Sequence, residues 1–333
     1  MKKIITGNGD KMTKSYIISI DLGGTKILSA LIDSNHKIIC KEKIPTDIIN
    51  GKEGMITGIV ESVKKIMSDN EVSEREIKAI CLGVPGTVDP YSGLIANAPN
   101  LGIKNFNIKE ALLKYFSIPL LIENDVNLAG LGIKKFEFDK ESNNMMVVFV
   151  GTGIGGALFF EGKLYRGSSF FAGEIGHMKV NSKGNLLSKD KNNTFESLAS
   201  RTAIVRDIKR ELNKGKKSLL KEYKSPGKML KSKGLAYAIN KGDSLAIKHV
   251  NKAAATIGTV MGSLTTLLNL DTIVLGGGVV EAIGDFMIPK VRKEFKKSVL
   301  PEPGRVLKIY KTKLGDDAAL YGGIALVEEF LSK

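Results

Sequence analysis

The 333 residues are long for one hydrophobic core, so two lobes are expected, and 43% apolar with 26% charged residues excludes a disordered or fibrous chain. Two cysteines, no apolar run beyond strand length and no apolar stretch with a cleavage site after Lys2 and Lys3 exclude a disulfide scaffold, a membrane span and a secretory leader, which implies a cytoplasmic protein. The net charge of +15 leaves two readings: attraction to polyanions, whether nucleic acid or phosphorylated substrates, or a lysine-rich solvated surface.

Residues 1–14 read as a disordered leader. A strand over 16–21, a glycine turn and a strand over 26–32 follow, with a third strand over 37–43. In Asp21-Leu22-Gly23-Gly24-Thr25-Lys26 the two glycines let the backbone approach an anion, because no Cβ stands in the way. Successive N–H groups and the Thr25 hydroxyl then form a phosphate nest, and Asp21 is suited to hold Mg²⁺, directly or through water. The competing explanation is a tight hairpin that needs positive φ. Residues 54–68 have helical spacing, with Ile56, Ile59, Val60, Val63 and Ile66 on one face. Short buried strands are expected over 77–83 and 119–123. Cys40 and Cys81 both fall in apolar strand-like runs and read as buried structural thiols.

Glu123-Asn124-Asp125-Val126-Asn127 stands where a strand gives way to a helix over 127–135. Asp125 is either an N-cap or a carboxylate favoured by the helix N-terminus that accepts the proton of a substrate hydroxyl in phosphoryl transfer. Asn124 offers a donor and an acceptor suited to a sugar hydroxyl. Strands over 145–150 and 157–161 form a hairpin about Gly151-Thr152-Gly153-Ile154-Gly155-Gly156. A dinucleotide-binding glycine loop would open a helix; these glycines precede a strand, so that reading fails. Two Gly-Thr hairpins in two halves point to a clamp on a triphosphate.

Gly173-Glu174-Ile175-Gly176-His177 follows, with Glu174 and His177 suited to vicinal hydroxyls and Glu196 joining them. A lone histidine is otherwise a structural residue. Residues 195–212 and 235–270 are mainly helical. Between 209 and 233 ten Lys or Arg stand against two Glu. Tyr223 is the sole aromatic residue there and no nucleic-acid reading motif accompanies it, so this is read as a solvated, mobile surface segment. A strand over 272–275 ends in Gly276-Gly277-Gly278, a side-chain-free floor for adenine or ribose, or simply a strand-to-helix turn. A closing helix spans 317–330. The order of strands and helix near the start returns loosely near residue 145, which predicts α/β lobes of similar build. The expected lobes are 15–124 and 125–333, with the last helix packing back on the first.

Together these residues resemble the ROK family (repressors, open reading frames and kinases) of the actin-like ATPase superfamily, from about Tyr16 to Phe330. The pieces that carry the resemblance are the motifs at 21–26, 123–127, 151–156, 173–177 and 273–278, with Glu196-Ser197-Leu198-Ala199-Ser200. The resemblance implies two ribonuclease H-like lobes around an interdomain cleft that closes on sugar. It implies transfer of the ATP γ-phosphate to a hexose 6-hydroxyl with Mg²⁺, in a homodimer with no nucleic-acid or membrane partner. It assigns the catalytic base to Asp125 and sugar contacts to Asn100, Asn124, Glu174, His177 and Glu196. ATP falls to Asp21, Gly23, Gly24, Thr25 and Lys26, to Gly151, Thr152, Gly153 and Gly155, and to Gly276, Gly277 and Gly278.

Family members typically bind a structural zinc through the histidine of the Gly-His turn and three cysteines. Aligning Gly184 and Glu196 without a gap puts Leu187, Lys189 and Thr194 at the cysteine positions, and none is a usual zinc ligand. No structural zinc is therefore expected, and residues 182–194 must be ordered by packing and hydrogen bonds or by sugar. In this the chain resembles divergent N-acetylmannosamine kinases slightly more than glucokinases, so N-acetylmannosamine is the first expected substrate and glucose the second. A ROK sugar-responsive transcriptional regulator is the alternative of another class. Those carry an N-terminal winged helix-turn-helix, and about fifteen residues precede the first strand here, too few for one.

Overall fold

A computed structural model describes residues 15–181, 193–225 and 227–331. The leader expected over 1–14 lies outside the described residues, as do Leu187 and Lys189. The chain divides into two compact units, Met1–Leu128 with Ala319–Lys333, and Ala129–Ala318. Among the described residues no helix is long and apolar enough to cross a membrane.

The chain begins with β1 (Tyr16–Leu22), β2 (Lys26–Ile32), β3 (Ile38–Pro45), helix α1 (Gly51–Asp69) and β4 (Ile77–Val84). A small antiparallel sheet of β5 (Thr87–Val88), β6 (Leu94–Ala98) and β7 (Ile103–Asn107) follows, then α2 (Ile108–Leu112), β8 (Leu120–Asn124) and α3 (Asp125–Glu137). The main sheet of the first unit has the order β3-β2-β1-β4-β8. Strands β1 to β3 form an antiparallel meander, and β4 and β8 run parallel to β1. β1 and β4 are almost continuously apolar and buried, as parallel strands covered on both faces must be. β3 at the edge alternates half-buried and exposed residues, its lysines blunting an open strand edge. Cys81 is fully buried, while Cys40 is half-buried and accepts from Asn70 Nδ2.

The second unit starts with β9 (Met145–Val150), β10 (Ile154–Phe160) and β11 (Lys163–Leu164), followed by α4 (Phe195–Ala199), α5 (Arg201–Asn213), α6 (Ser232–Asn240) and α7 (Ser244–Leu268). Then come β12 (Thr272–Gly276), α8 (Gly278–Ser298), α9 (Pro301–Val306), β13 (Lys308–Lys311) and α10 (Ala318–Leu331). The sheet order is β11-β10-β9-β12-β13, again an antiparallel meander followed by two parallel strands. The loose repetition read from the sequence is thus one topology built twice. The long helices α7 and α8 pack closely because Gly258 and Gly262 of α7 lie against the α8 residues Val291 and Ser298. All of α10 from Ala319 onward belongs to the first unit, where Gly322 meets the Leu128 carbonyl and Gly323 meets Ser19 and Cys81.

Candidate active site

In the first unit the parallel strands β1, β4 and β8 end at one edge of the sheet, where open α/β sheets place ligands. Register sets Asp21 beside Gly83 and Gly83 beside Glu123, so Asp21 and the turn from β8 into α3 share that edge. Asp125 is the first residue of α3, yet it is not the cap. Asn124 takes that part, its Oδ1 accepting from the Asn127 N–H at 3.0 Å while its Nδ2 donates to the Gly86 carbonyl at 2.9 Å. One donor and one acceptor position of that amide remain for a ligand. Beneath them Glu123 is buried, and its Oε1 accepts from the Asn124 N–H at 3.0 Å and Asn127 Nδ2 at 3.1 Å. Glu123 is a positioning residue: it fixes the strand-to-helix turn that presents Asp125.

The first glycine loop joins the same unit. Neither Gly23 nor Gly24 has positive φ, so the hairpin itself does not demand glycine; close approach does. A Cβ on Gly24 would stand 3.2 Å from the Asn100 carbonyl oxygen, and one on Gly23 would stand 3.1 Å from that of Lys26. Thr46 Oγ1 donates to the Gly23 carbonyl at 2.6 Å, and the Gly23 N–H donates to the Lys26 carbonyl at 2.8 Å. Thr25 at the turn is exposed and Lys26 half-buried. Asn100, exposed in a single 3₁₀ turn after β6, is thereby brought against the first glycine loop through its backbone.

The second unit repeats the arrangement. β9 and β12 are parallel neighbours, so Gly151, Thr152 and Gly153 at the end of β9 and Gly276, Gly277 and Gly278 at the end of β12 lie along one edge. The three consecutive glycines have different tasks. A Cβ on Gly276 would press to 2.9 Å from the Phe149 ring, and Gly277, at φ +86, lies against the Val150 backbone. Only Gly278, the first residue of α8, borders open space, with Ser232 Oγ 3.9 Å from where its Cβ would be. The floor expected from three glycines narrows to one, because packing against β9 accounts for the other two. Gly155 lies inside β10, opposite Phe149 and set back from the turn.

The β9–β10 turn is held by residues far away in sequence. Arg201 Nη2 donates to Thr152 Oγ1 at 2.6 Å, Thr202 Oγ1 donates to the Thr152 carbonyl at 2.7 Å, and the Arg201 N–H donates to the Gly151 carbonyl at 2.9 Å. Glu196 supports the other side. Its Oε2 accepts from the Ile154 N–H at 2.8 Å, and its carboxylate occupies the space a Cβ on Gly153 would need. The Gly-His turn packs here too: Gly173, at φ +95, lies against the Gly156 carbonyl, and Gly176 lies between the Ile154 carbonyl and the Glu196 Cβ. Glu174, His177 and Glu196 are therefore one cluster. His177 Nε2 lies 3.6 Å from Glu174 Oε2. Burial raises the Glu174 carboxyl above its ordinary pKa, His177 opposes that shift and Glu196 adds to it.

Arg201 and Thr202 were not singled out from sequence, since nothing local marks residues that act 49 and 50 positions away. The basic segment also differs from its reading. Leu220 and Leu230 are buried in the core of the second unit, and residues from both ends of the segment line a cavity of about 710 Å³ that reaches Thr152. Thr194, at a position where the zinc-binding pattern has cysteine, caps α4 by accepting from the Ser197 N–H at 3.1 Å. The segments on either side of residues 182–192 are joined by Phe195 N–H to the Met178 carbonyl at 2.9 Å and Val180 N–H to the Asn193 carbonyl at 3.1 Å. Among the described residues no group of three or more His, Cys, Asp or Glu is placed to hold a metal ion.

The sequence matches the ROK family over residues 17–330. A glucokinase of Halalkalibacterium halodurans is 31% identical over 320 residues, 96% of either chain. A xylose repressor of Caldicellulosiruptor bescii is 26% identical over 311 residues, 93% of this chain and 77% of the repressor. Among solved structures, a ROK family glucokinase from Streptomyces griseus in complex with glucose and AMPPNP superposes with a TM-score of 0.79 at 26% identity, covering 94% of this chain and 99% of that one. The α/β class with actin-like lobes, expected from the motifs, is the class of these structures.

Proposed function

The chain belongs to the ROK family, and from that premise we propose that it is an ATP-dependent sugar kinase that phosphorylates a hexose 6-hydroxyl, with Asp125 as the base. The observation that carries this reading is the turn after β8. There Asn124 takes over the capping of α3 and buried Glu123 holds the turn from below, so the carboxylate at the first helical position is not spent on the cap. The sugar O6 attacks the γ-phosphorus, and its proton passes to Asp125 as the new bond forms. In the second unit the cluster of Glu174, His177 and Glu196 offers contacts for sugar hydroxyls, and in the first Asn100 and Asn124 offer amide groups suited to the same task.

The residues present fit ATP. Gly151 and Gly278 border open space, and Thr152 opens onto a cavity of nucleotide size. In the second unit the Gly151 to Gly153 turn would take phosphates and the cavity with Gly278 the nucleoside; in the first unit the Gly23 to Lys26 loop is a candidate phosphate nest of its own. Asp21, a hard oxygen donor at the edge of the parallel strands, suits Mg²⁺, which would neutralise charge on the phosphate oxygens.

The two substrates we propose are N-acetylmannosamine and glucose, the second supported by the glucokinase likenesses. The deciding experiment is sugar phosphate formation from ATP and Mg²⁺ across a panel holding glucose, N-acetylmannosamine, N-acetylglucosamine, fructose and allose. Turnover on one of them supports the kinase. A folded protein inert on all of them, yet retaining a specific DNA duplex in a gel shift, would instead support a sugar-responsive regulator, the reading favoured by the xylose repressor likeness. We further propose that Thr194 and the backbone bonds of Met178 and Val180 do what zinc does elsewhere. Metal analysis of the purified protein should then find no stoichiometric zinc, and EDTA should leave its melting temperature in place; one zinc per chain would refute this.

A further inference from the structure

The second unit has a further cavity, of about 360 Å³, between α8, α9 and β13. Strand β13 is the last of its sheet and pairs with β12 alone. The Lys308 and Thr312 N–H groups donate to the Asp271 and Leu275 carbonyls, so the Ile309 carbonyl between them faces the open edge. There Arg292 Nη2 donates to it at 2.6 Å. That bond blunts the strand edge and engages one of the guanidinium's five N–H donors. It accounts for neither Lys296 nor Lys308, which line the same cavity. Arg292 and Lys296 stand at i and i+4 on α8. The α8 carboxylates on either side are taken: Glu294 pairs with Lys290 and Lys297, and Asp285 with Lys311. No carboxylate lines the cavity among the described residues.

Three cations on one small cavity repel each other unless an anion joins them. A monocarboxylate balances one charge; a phosphomonoester carries close to two at neutral pH and presents three acceptor oxygens. A guanidinium already fixed by a backbone carbonyl is a preorganised partner for such a group. The floor beneath the charges is apolar, made of buried Phe295, Leu307 and Ile309. Tyr310 forms a wall, its ring 5.1 Å from that of Phe138. Tyr310 and Lys308 also border a neighbouring cavity of about 500 Å³, which holds the Glu141 carboxylate. A fitting ligand therefore has a doubly charged end, a body with an apolar face, and hydroxyl groups for Tyr310 and Glu141. A pyranose ring has such a face in its C–H groups, and the volume is that of a small-ligand site.

We propose that the cavity between α8 and β13 is a second ligand site that binds a hexose phosphate, with the phosphoryl group on Arg292, Lys296 and Lys308 and the ring against Tyr310. It stands apart from the candidate active site. Helix α8 starts there with Gly278 and reaches Arg292 four turns later, roughly 20 Å along the helix. The product of the proposed reaction belongs to this ligand class, but binding here does not depend on the kinase reading and is measured without turnover.

The test is calorimetric titration of the full chain with glucose 6-phosphate, inorganic phosphate, AMP and glucose, each alone. Glucose 6-phosphate is expected to bind with a Kd below about 1 mM, about tenfold or more tighter than the other three, and more weakly as salt is added. Lys296 and Lys308 are both exposed, so Lys296→Gln combined with Lys308→Gln should leave the melting temperature within about 2 °C. The pair is expected to weaken glucose 6-phosphate about tenfold or more, and either change alone about threefold, which keeps the test open if the pair lowers stability. Glu196→Ala, which alters the candidate active site, should bind it as the wild type does. No binding up to about 10 mM overturns the proposal, as does binding that the lysine changes leave untouched. Binding lost in Glu196→Ala but kept in the lysine pair puts the ligand in the candidate active site and also overturns it. Inorganic phosphate or AMP binding as tightly as glucose 6-phosphate overturns the sugar phosphate as ligand. A chain that turns over no sugar fails as a kinase and leaves every one of these titrations readable.

Discussion

Asp125→Asn is expected to lower kcat by about a thousandfold while leaving the sugar KM within about threefold and the fold intact. The asparagine side chain has nearly the same shape, and it retains an oxygen for the bond that Asp125 Oδ1 accepts from the Val126 N–H at 2.9 Å. The helix start does not depend on the charge either, because the cap belongs to Asn124. What is lost, on the proposed mechanism, is the capacity to accept the sugar proton as O6 bonds to phosphorus. Losing a positioned general base costs about 10²–10⁴ in rate, and the upper half of that range applies where the hydroxyl has no other base in reach. The measurement is a coupled assay at saturating sugar and donor, with a thermal melt alongside. A variant that keeps more than about a tenth of wild-type turnover would remove Asp125 from the base role.

A contrasting change separates the base from its support. Glu123 is buried and accepts two hydrogen bonds from the residues that flank Asp125. Its removal would leave those donors unpaired, at about 1–3 kcal/mol each, and would be felt as stability before chemistry.

Much of this architecture was legible because the signals are local. The meander β1 to β3, helix α1, the buried strand β4 and the hairpin β9–β10 each announce themselves by period or by glycine placement within a dozen residues. Helix α8 did not. It carries Gly284 and Pro289, and Ile283 leaves helical geometry at φ −136, so its apolar face is broken where periodicity would be counted. Strand β13 is four residues with lysine at both ends, too short to outweigh its charge, and the small β5–β7 sheet depends on tertiary pairing across turns. At the site, the glycine motifs were visible, but the reason for each glycine was not. Gly23 and Gly24 are favoured by neighbours at 3.1 and 3.2 Å and not by φ, and Gly276 by the ring of Phe149. Contacts across more than forty residues, such as Arg201 to Thr152 and Glu196 to Ile154, have no signature in a single sequence.

Glu196 carries the second large effect, because the proposed kinase reading gives it a part in both substrates' half-sites of its unit. One of its oxygens accepts from the Ile154 N–H at 2.8 Å at the foot of the β9–β10 turn, and the carboxylate fills the space beside Gly153. The residue also stands with Glu174 and His177, against Gly176 of the same turn. Glu196→Ala therefore removes a proposed sugar ligand and frees the turn at once. A hydrogen bond to a charged acceptor contributes about 1.5–3 kcal/mol, which is about ten- to a hundredfold for each substrate it serves. The expected outcome is a fall in kcat/KM for sugar of about a hundredfold or more, with the donor KM raised about tenfold. Glu196→Gln distinguishes the two roles. Its amide oxygen still accepts from Ile154 and still fills the space beside Gly153, so the donor KM should return to within about threefold of wild type while the sugar KM stays high. A residue that only bound sugar would leave the donor KM unmoved in both variants, and that result would confine Glu196 to the sugar half of the site.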